Sequence, residues 1–370
     1  MTCRQVASLC LLANTIWLIP ACAQQPLRQS IPQSPQTKSE FYLSDSRSLD
    51  TEDTEKGVYG KDNRQEAYLT DAQNQRAASG TAAFFLMQQL EKTSSGYRLT
   101  QSHTLQEDGW CAAEPFVSQP SDAFCSGFLI DHDILVTAGH CLHNIPMKDI
   151  RVVFGFQLAP NKTAPKEFSD SEVFQISEIL EHKLDNSSDW GVVRLNRPVP
   201  GHALPIIRQG DVPIGTEITV IGYPLGLPLK ISEGGKVFDN KGNTFLTNLD
   251  AYHGNSGSPV FNSESIRKGK PMVEGILVSG ADDYHVTPEG CKISNQCAND
   301  RLSEGQVCSG EKVTKISRVI SLDAPSTTSA NSTSERQPRT NPNQPTEPRT
   351  EQPSPDEKSD DICKVVPSLC

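Results

Sequence analysis

At 370 residues the chain has room for one large domain or two modest ones, with tails. Its 34 basic residues face 45 acidic ones, a net charge of −11, which argues against a nucleic-acid binder. A hydrophobic content of 36% is low for this length, as expected when polar ends dilute an ordinary core.

Residues 1–23 read as an export signal. Arg4 supplies a positive start, Val6 to Ile19 is mostly apolar, and small residues follow at Ala21-Cys22-Ala23. Cleavage after Ala23 would release a soluble protein. Alternatively, Ile19-Pro20-Ala21-Cys22 resembles a bacterial lipobox, which would lipidate Cys22 and hold the chain at a membrane. No other stretch is apolar over the length that a spanning helix needs. Residues 24–56 are rich in Gln, Ser, Pro, Asp and Glu and read as a polar linker or propeptide.

From Val58 the pattern changes to short β-like runs broken by Gly, Pro, Asn and Asp. Examples are Cys125–Ile130, Ile134–Thr137, Val152–Phe156, Val173–Ile179, Trp190–Leu195, Ile218–Tyr223, Val260–Phe261 and Met272–Ser279. Many short strands at close spacing predict an all-β sandwich or barrel. Ala82–Leu90 fits strand or helix, and Val313–Ile320 reads as an amphipathic closing helix. The folded domain is placed at 57–322. Beyond it, residues 323–362 hold seven prolines and no aromatics, a composition that cannot offset its ordering entropy. This disordered Pro/Ser/Thr-rich tail, 323–370, ends in Cys363 and Cys370.

Three of the 11 cysteines lie in the leader. The other eight are an even number in an exported chain and point to disulfides. No CxxC or HxxxH pairing supports a zinc site.

Serine-based hydrolysis needs a base beside the hydroxyl, an acid group to orient that base, and donors for the developing oxyanion. Cys125-Ser126-Gly127 opens one β-type run, and Thr137-Ala138-Gly139-His140-Cys141 closes the next. A bridge across the 16 positions from Cys125 to Cys141 would hold the histidine-bearing turn rigid, worth roughly 3 kcal/mol. The nucleophile candidate is Ser256 in Gly254-Asn255-Ser256-Gly257-Ser258-Pro259, 116 residues after His140. Flanking glycines allow a tight turn and a close substrate approach. The amides of Gly254 and Ser256 could then form an oxyanion hole. Asp189, in Ser188-Asp189-Trp190-Gly191-Val192-Val193, heads an apolar run and is the orienting acid, ahead of Asp170 and Asp185.

These three motifs closely resemble those of chymotrypsin-like serine peptidases. The chain order His, Asp, Ser is theirs rather than that of subtilisin or the α/β-hydrolases. The serine motif is similar to that of secreted bacterial members, including glutamyl endopeptidases. The resemblance covers roughly Val58 to Ile320. It implies two perpendicular six-stranded antiparallel β-barrels with the triad His140, Asp189 and Ser256 in the cleft between them. It implies a secreted or periplasmic serine endopeptidase acting on protein or peptide substrates. No metal or organic cofactor is needed, and a monomer is expected. Cys291, Cys297 and Cys308 look like the C-terminal cysteine loop of these relatives. With Cys111 they leave three possible pairings.

Two departures stand out. Asn255 occupies the place where trypsin-type zymogens carry an aspartate for a newly freed N-terminus, and a neutral amide cannot make that ion pair. Leu277 stands where glutamyl endopeptidases have a histidine in a Gly-Ile-His run, which disfavours cleavage after glutamate. Val278, Ser279 and Gly280 are expected to wall the substrate pocket. Asp250, six residues before Ser256, matches the acid with which trypsins bind Lys or Arg; the alternative is a turn-capping aspartate. His253 beside the oxyanion hole, and His132, His143 and His182, are read as solvent-facing. Two rival functions remain: a catalytically silent peptide-binding protease fold, and an envelope quality-control protease.

Overall fold

The computed structural model describes residues 57–280, 282–297 and 309–319. The expected leader and its Cys22, the 24–56 linker, Cys308 and the tail with Cys363 and Cys370 lie outside the described residues.

Twelve strands build two antiparallel barrels. The first holds β1 (Thr81–Leu86), β2 (Cys125–Leu129), β3 (Ile134–Thr137), β4 (Ile150–Val153), β5 (Val173–Asp185) and β6 (Ser188–Leu195). The second holds β7 (Glu217–Gly222), β8 (Lys230–Lys241), β9 (Thr244–Thr247), β10 (Pro259–Asn262), β11 (Met272–Ser279) and β12 (Glu311–Lys315). Around the first barrel the order is β1-β2-β3-β6-β5-β4, closed by pairing of β4 with β1. The second repeats it as β7-β8-β9-β12-β11-β10, closed by pairing of β10 with β7. This is the chymotrypsin-like fold.

The β-branched and aromatic content of these runs explains their choice of strand. Strands β2, β3 and β4 are buried at every position, so they show no apolar-polar alternation; Ser126, Thr137 and Arg151 are their buried polar members. Phe84, Phe85, Phe128, Phe154, Phe156 and Phe174 fill the first barrel and its rim. Edge-on ring contacts join Phe85 to Phe156 at 5.1 Å and Phe154 to Phe174 at 5.5 Å. Each buried ring contributes roughly 1.5–3 kcal/mol.

Ala82–Leu90 resolves as strand β1 followed by a 3₁₀ turn, Met87–Gln89. The closing helix at Val313–Ile320 is corrected: Glu311–Lys315 is strand β12, and only Ile316–Val319 is helical. Pairing of β12 with both β9 and β11 captures those residues for the sheet. Amphipathic spacing yields to the ladder bonds that close the barrel.

The N-terminal segment straps the second barrel. Val58–Tyr59 pairs in parallel with Gln296–Cys297, and Arg64–Glu66 pairs antiparallel with Lys230–Ser232 at the start of β8. Val58 sits in a separate apolar cluster with Leu105, Trp110, Leu227 and Tyr252. Cys111 and Cys291 are joined in a disulfide beside it, which resolves one of the open pairings. Cys297 is disulfide-bonded as well.

Candidate active site

His140 lies in a single 3₁₀ turn, Gly139–Leu142, at the end of β3. The turn presses closely on its neighbours. A side chain on Gly139 would meet the Lys183 carbonyl at 2.2 Å and the Trp190 nitrogen at 3.0 Å. Glycine therefore lets the turn touch β5 and β6, and it brings His140 to the start of β6, where Asp189 sits. One Asp189 oxygen accepts from the His140 amide at 3.0 Å, and the other lies 2.7 Å from His140 Nδ1.

Two carboxylate contacts, one to backbone and one to ring, fix both the turn and the imidazole plane. Burial raises the Asp189 carboxyl. The His140 charge, and hydrogen bonds from His140 and the Gly139 amide, outweigh it and hold the group below the usual aspartate range. Asp189 is therefore an anion at neutral pH, able to stabilise an imidazolium.

The cysteines flanking this motif, Cys125 and Cys141, form a disulfide with a Cα separation of 6.1 Å. Ser256 sits against it. Cys141 Sγ lies 3.6 Å from the Ser256 carbonyl, and that carbonyl accepts from the Ser126 amide at 2.8 Å. The Ser126 hydroxyl in turn donates to the Gly254 carbonyl at 2.7 Å. The serine-bearing turn of the second barrel is thus bolted to strand β2 of the first. Gly257 has φ +87°, and a Cβ there would meet the Ser126 carbonyl at 2.0 Å. Only glycine permits that approach.

Asn255 is buried, and its side-chain oxygen accepts from the Ser258 hydroxyl at 3.3 Å. A neutral amide thus fills this place, held within its own turn.

Of the residues expected to wall the substrate pocket, Val278 and Gly280 are buried and Ser279, the last residue of β11, is half-buried. Asp250 is engaged elsewhere than expected. Its two oxygens accept from the Tyr59 amide at 2.7 Å and the Asn63 amide at 2.8 Å, and the residue is 1% exposed. Burial pushes its carboxyl up to about 6, against the pull of those two amides. His253 is half-buried, and its amide donates to Asp283.

Sequence reasoning missed three residues around the site. His182 is exposed, yet its Nε2 lies 2.9 Å from the Gly139 carbonyl, where it supports the histidine turn. Ser126 couples the barrels, and its place inside the Cys-Ser-Gly run was the only available signal. Glu311 is fully buried with its carboxylate against Gly280, and it accepts from the Gly57 amide at 3.2 Å. An isolated glutamate in a polar run carries no sequence signal.

Cys125, His140 and Cys141 place potential metal-ligating atoms within 4.8 Å of one another. The two sulfurs are bonded to each other, so neither offers a thiolate. The cluster does not fit a metal.

Two closed six-stranded barrels, with a carboxylate-bound histidine whose neighbouring Cys141 abuts the glycine-flanked Ser256 turn, define the chymotrypsin-like class. The trypsin family model matches residues 103–289, half of the chain, and the protein belongs to that family. Among curated relatives, the extracellular metalloprotease of Bacillus subtilis (strain 168) is 25% identical over 194 residues, 48% of this chain and 56% of the relative. Trypsin epsilon of Drosophila erecta is 24% identical over 167 residues, 39% of this chain and 65% of the relative. The chain thus spans less than two thirds of the length of each. Among solved structures, a kallikrein-related peptidase 10 complex with Zn2+ aligns at 18% identity and a TM-score of 0.36, over 54% of this chain and 87% of that one.

Proposed function

We propose that the protein is an exported serine endopeptidase in which Ser256 attacks the scissile carbonyl. His140 takes the hydroxyl proton through Nε2 and returns it to the leaving amine. Asp189, bound to Nδ1, fixes the tautomer and stabilises the imidazolium. The amides of Gly254 and Ser256 donate to the oxyanion, and water then releases the acyl group. The observation that carries this reading is the 2.7 Å contact between His140 and Asp189, at a turn whose neighbouring cysteine abuts Ser256.

Substrates are proteins or peptides whose backbone pairs along Val278–Gly280. A preference for Lys or Arg, if present, does not arise from Asp250 alone, because that carboxylate already binds two amides of the strap. Leu277, buried on β11, offers no cation to a substrate glutamate. Family membership and the disulfides both favour an exported protein.

Casein or a peptide library tests the reading. The wild-type protein should hydrolyse it, and Ser256→Ala should lose about a thousandfold or more with an unchanged melting temperature. Equal turnover by both proteins would remove Ser256 from the chemistry. Cut sites from the same library read the specificity.

A further inference from the structure

The turn between β7 and β8 is strained. Leu225, in the middle of Pro224–Gly226, has φ +56° and ψ +23°, a left-handed backbone that a leucine keeps only when its surroundings impose it. They do so from the segment that leads into β2. The Ser121 hydroxyl donates to the Leu225 carbonyl at 2.6 Å, and the Asp122 and Ala123 amides donate to the Gly226 carbonyl at 2.9 and 3.2 Å. What this conformation presents is the Leu225 amide, which donates to the His253 carbonyl at 2.6 Å.

The His253 carbonyl and the Gly254 N–H belong to one peptide plane. The bond is trans, as throughout the described residues, so the two groups point in opposite directions. Tying the carbonyl to Leu225 therefore aims the N–H away from the strained turn. The next plane is pinned as well. Ser126 is fully buried, and its hydroxyl donates to the Gly254 carbonyl at 2.7 Å while accepting from the Tyr223 amide at 3.2 Å. The Asn255 amide of that plane donates to the Tyr252 carbonyl at 3.0 Å. Turning the Gly254 N–H around would break bonds on both sides at once. The amides of Asn255, Gly257 and Ser258 all find acceptors within the chain, whereas that of Gly254, also buried, has none among the described residues. A buried N–H without an acceptor is costly and calls for a reason.

We propose that Leu225 and Ser126 are positioning residues that hold the Gly254 N–H ready for a substrate's oxyanion, Leu225 through its backbone amide and Ser126 through its hydroxyl. Neither touches the reacting atoms. A donor stabilises developing charge best when it needs no reorientation at the moment of reaction, and the strained turn fixes this one beforehand. The proposal rests on the peptidase reading and adds to it two groups, outside the triad, that set its rate.

The test uses the full-length protein in two variants: Ser126→Ala, and a backbone ester in place of the Leu225 amide, introduced as the α-hydroxy analogue of leucine. Each should lower kcat on a peptide substrate about tenfold or more, with KM changed less than about twofold. A peptide aldehyde, whose adduct carries an oxyanion, should bind more weakly by the factor that kcat/KM loses, while the cleaved product peptide binds as before. Unchanged kcat, or equal losses for aldehyde and product, overturns the proposal. Should Ser126→Ala fail to fold, the ester variant decides. A crystal structure of the unliganded wild-type protein decides independently: a His253 carbonyl that meets the Leu225 amide only after the aldehyde binds contradicts a donor fixed beforehand. Fluorophosphonate labelling of wild-type Ser256 separates the two readings. No label sinks the peptidase assignment itself, whereas a labelled wild type whose variants keep full kcat sinks only the positioning role.

Discussion

The two barrels share one strand order yet are held together by different physics. The first is an aromatic barrel whose His140-bearing turn is stapled by Cys125–Cys141. The second is clasped from outside by the strap, through groups that carry charge. Asp250 and Glu311 grip backbone amides, and Lys230 is buried against Glu66 at 3.1 Å. Burial lowers the Lys230 ammonium to about 8, against the pull of Glu66. One barrel therefore draws its rigidity from packing and a covalent link. Its twin depends on buried ions that must stay matched, and this ties its integrity to pH and to the strap.

The sharpest way to break that contrast is Asp250→Ala. It removes the acceptor for two buried amides and should cost about 3 kcal/mol or more in urea denaturation. A loss well under 1 kcal/mol would mean the strap is not held by charge. Removing the staple with Cys125→Ala and Cys141→Ala together should cost about 3 kcal/mol, most visibly as faster unfolding of the first barrel. Hydrogen exchange should place the loss in β2 and β3 and leave β8 protected.

The pH dependence sharpens the comparison further. Asp250 titrates near 6 when folded and near the ordinary aspartate value of 3.8 when unfolded. Between those values the folded state keeps a proton that the unfolded chain releases, so stability falls as pH rises through this window. Asp122, also pushed up to about 6 by burial, adds the same slope. Asp250→Asn should therefore remove about half of the decline between pH 4 and 6, an effect of roughly 2 kcal/mol. An unchanged slope would contradict the assignment. At the small end, the exposed pair Arg98–Glu167, 3.2 Å apart on the first half, should be worth under about 0.5 kcal/mol. A larger effect of Arg98→Ala would blur the distinction between the halves.

How far these features could be read from the sequence follows the same division. Apolar strands such as Ile134–Thr137 and Met272–Ser279 announce themselves, because burial favours β-branched and other apolar residues. The polar strands Lys230–Lys241 and Glu311–Lys315 do not, since their pairing is set by distant partners rather than by local pattern. The motifs around His140 and Ser256 were legible because close approach forces glycine at Gly139 and Gly257. The grip of Asp250 and Glu311 on the strap was invisible, for it joins residues 191 and 254 positions apart through backbone amides that every sequence possesses.

The proposed chemistry stands on His140 and Ser256 acting together. Incubating the folded protein with a biotinylated fluorophosphonate and mapping adducts by mass spectrometry tests this directly. The triad assignment requires one adduct, on Ser256, that disappears in His140→Ala and after unfolding. A folded protein that takes no label on Ser256, or one that labels equally well without His140, would contradict it.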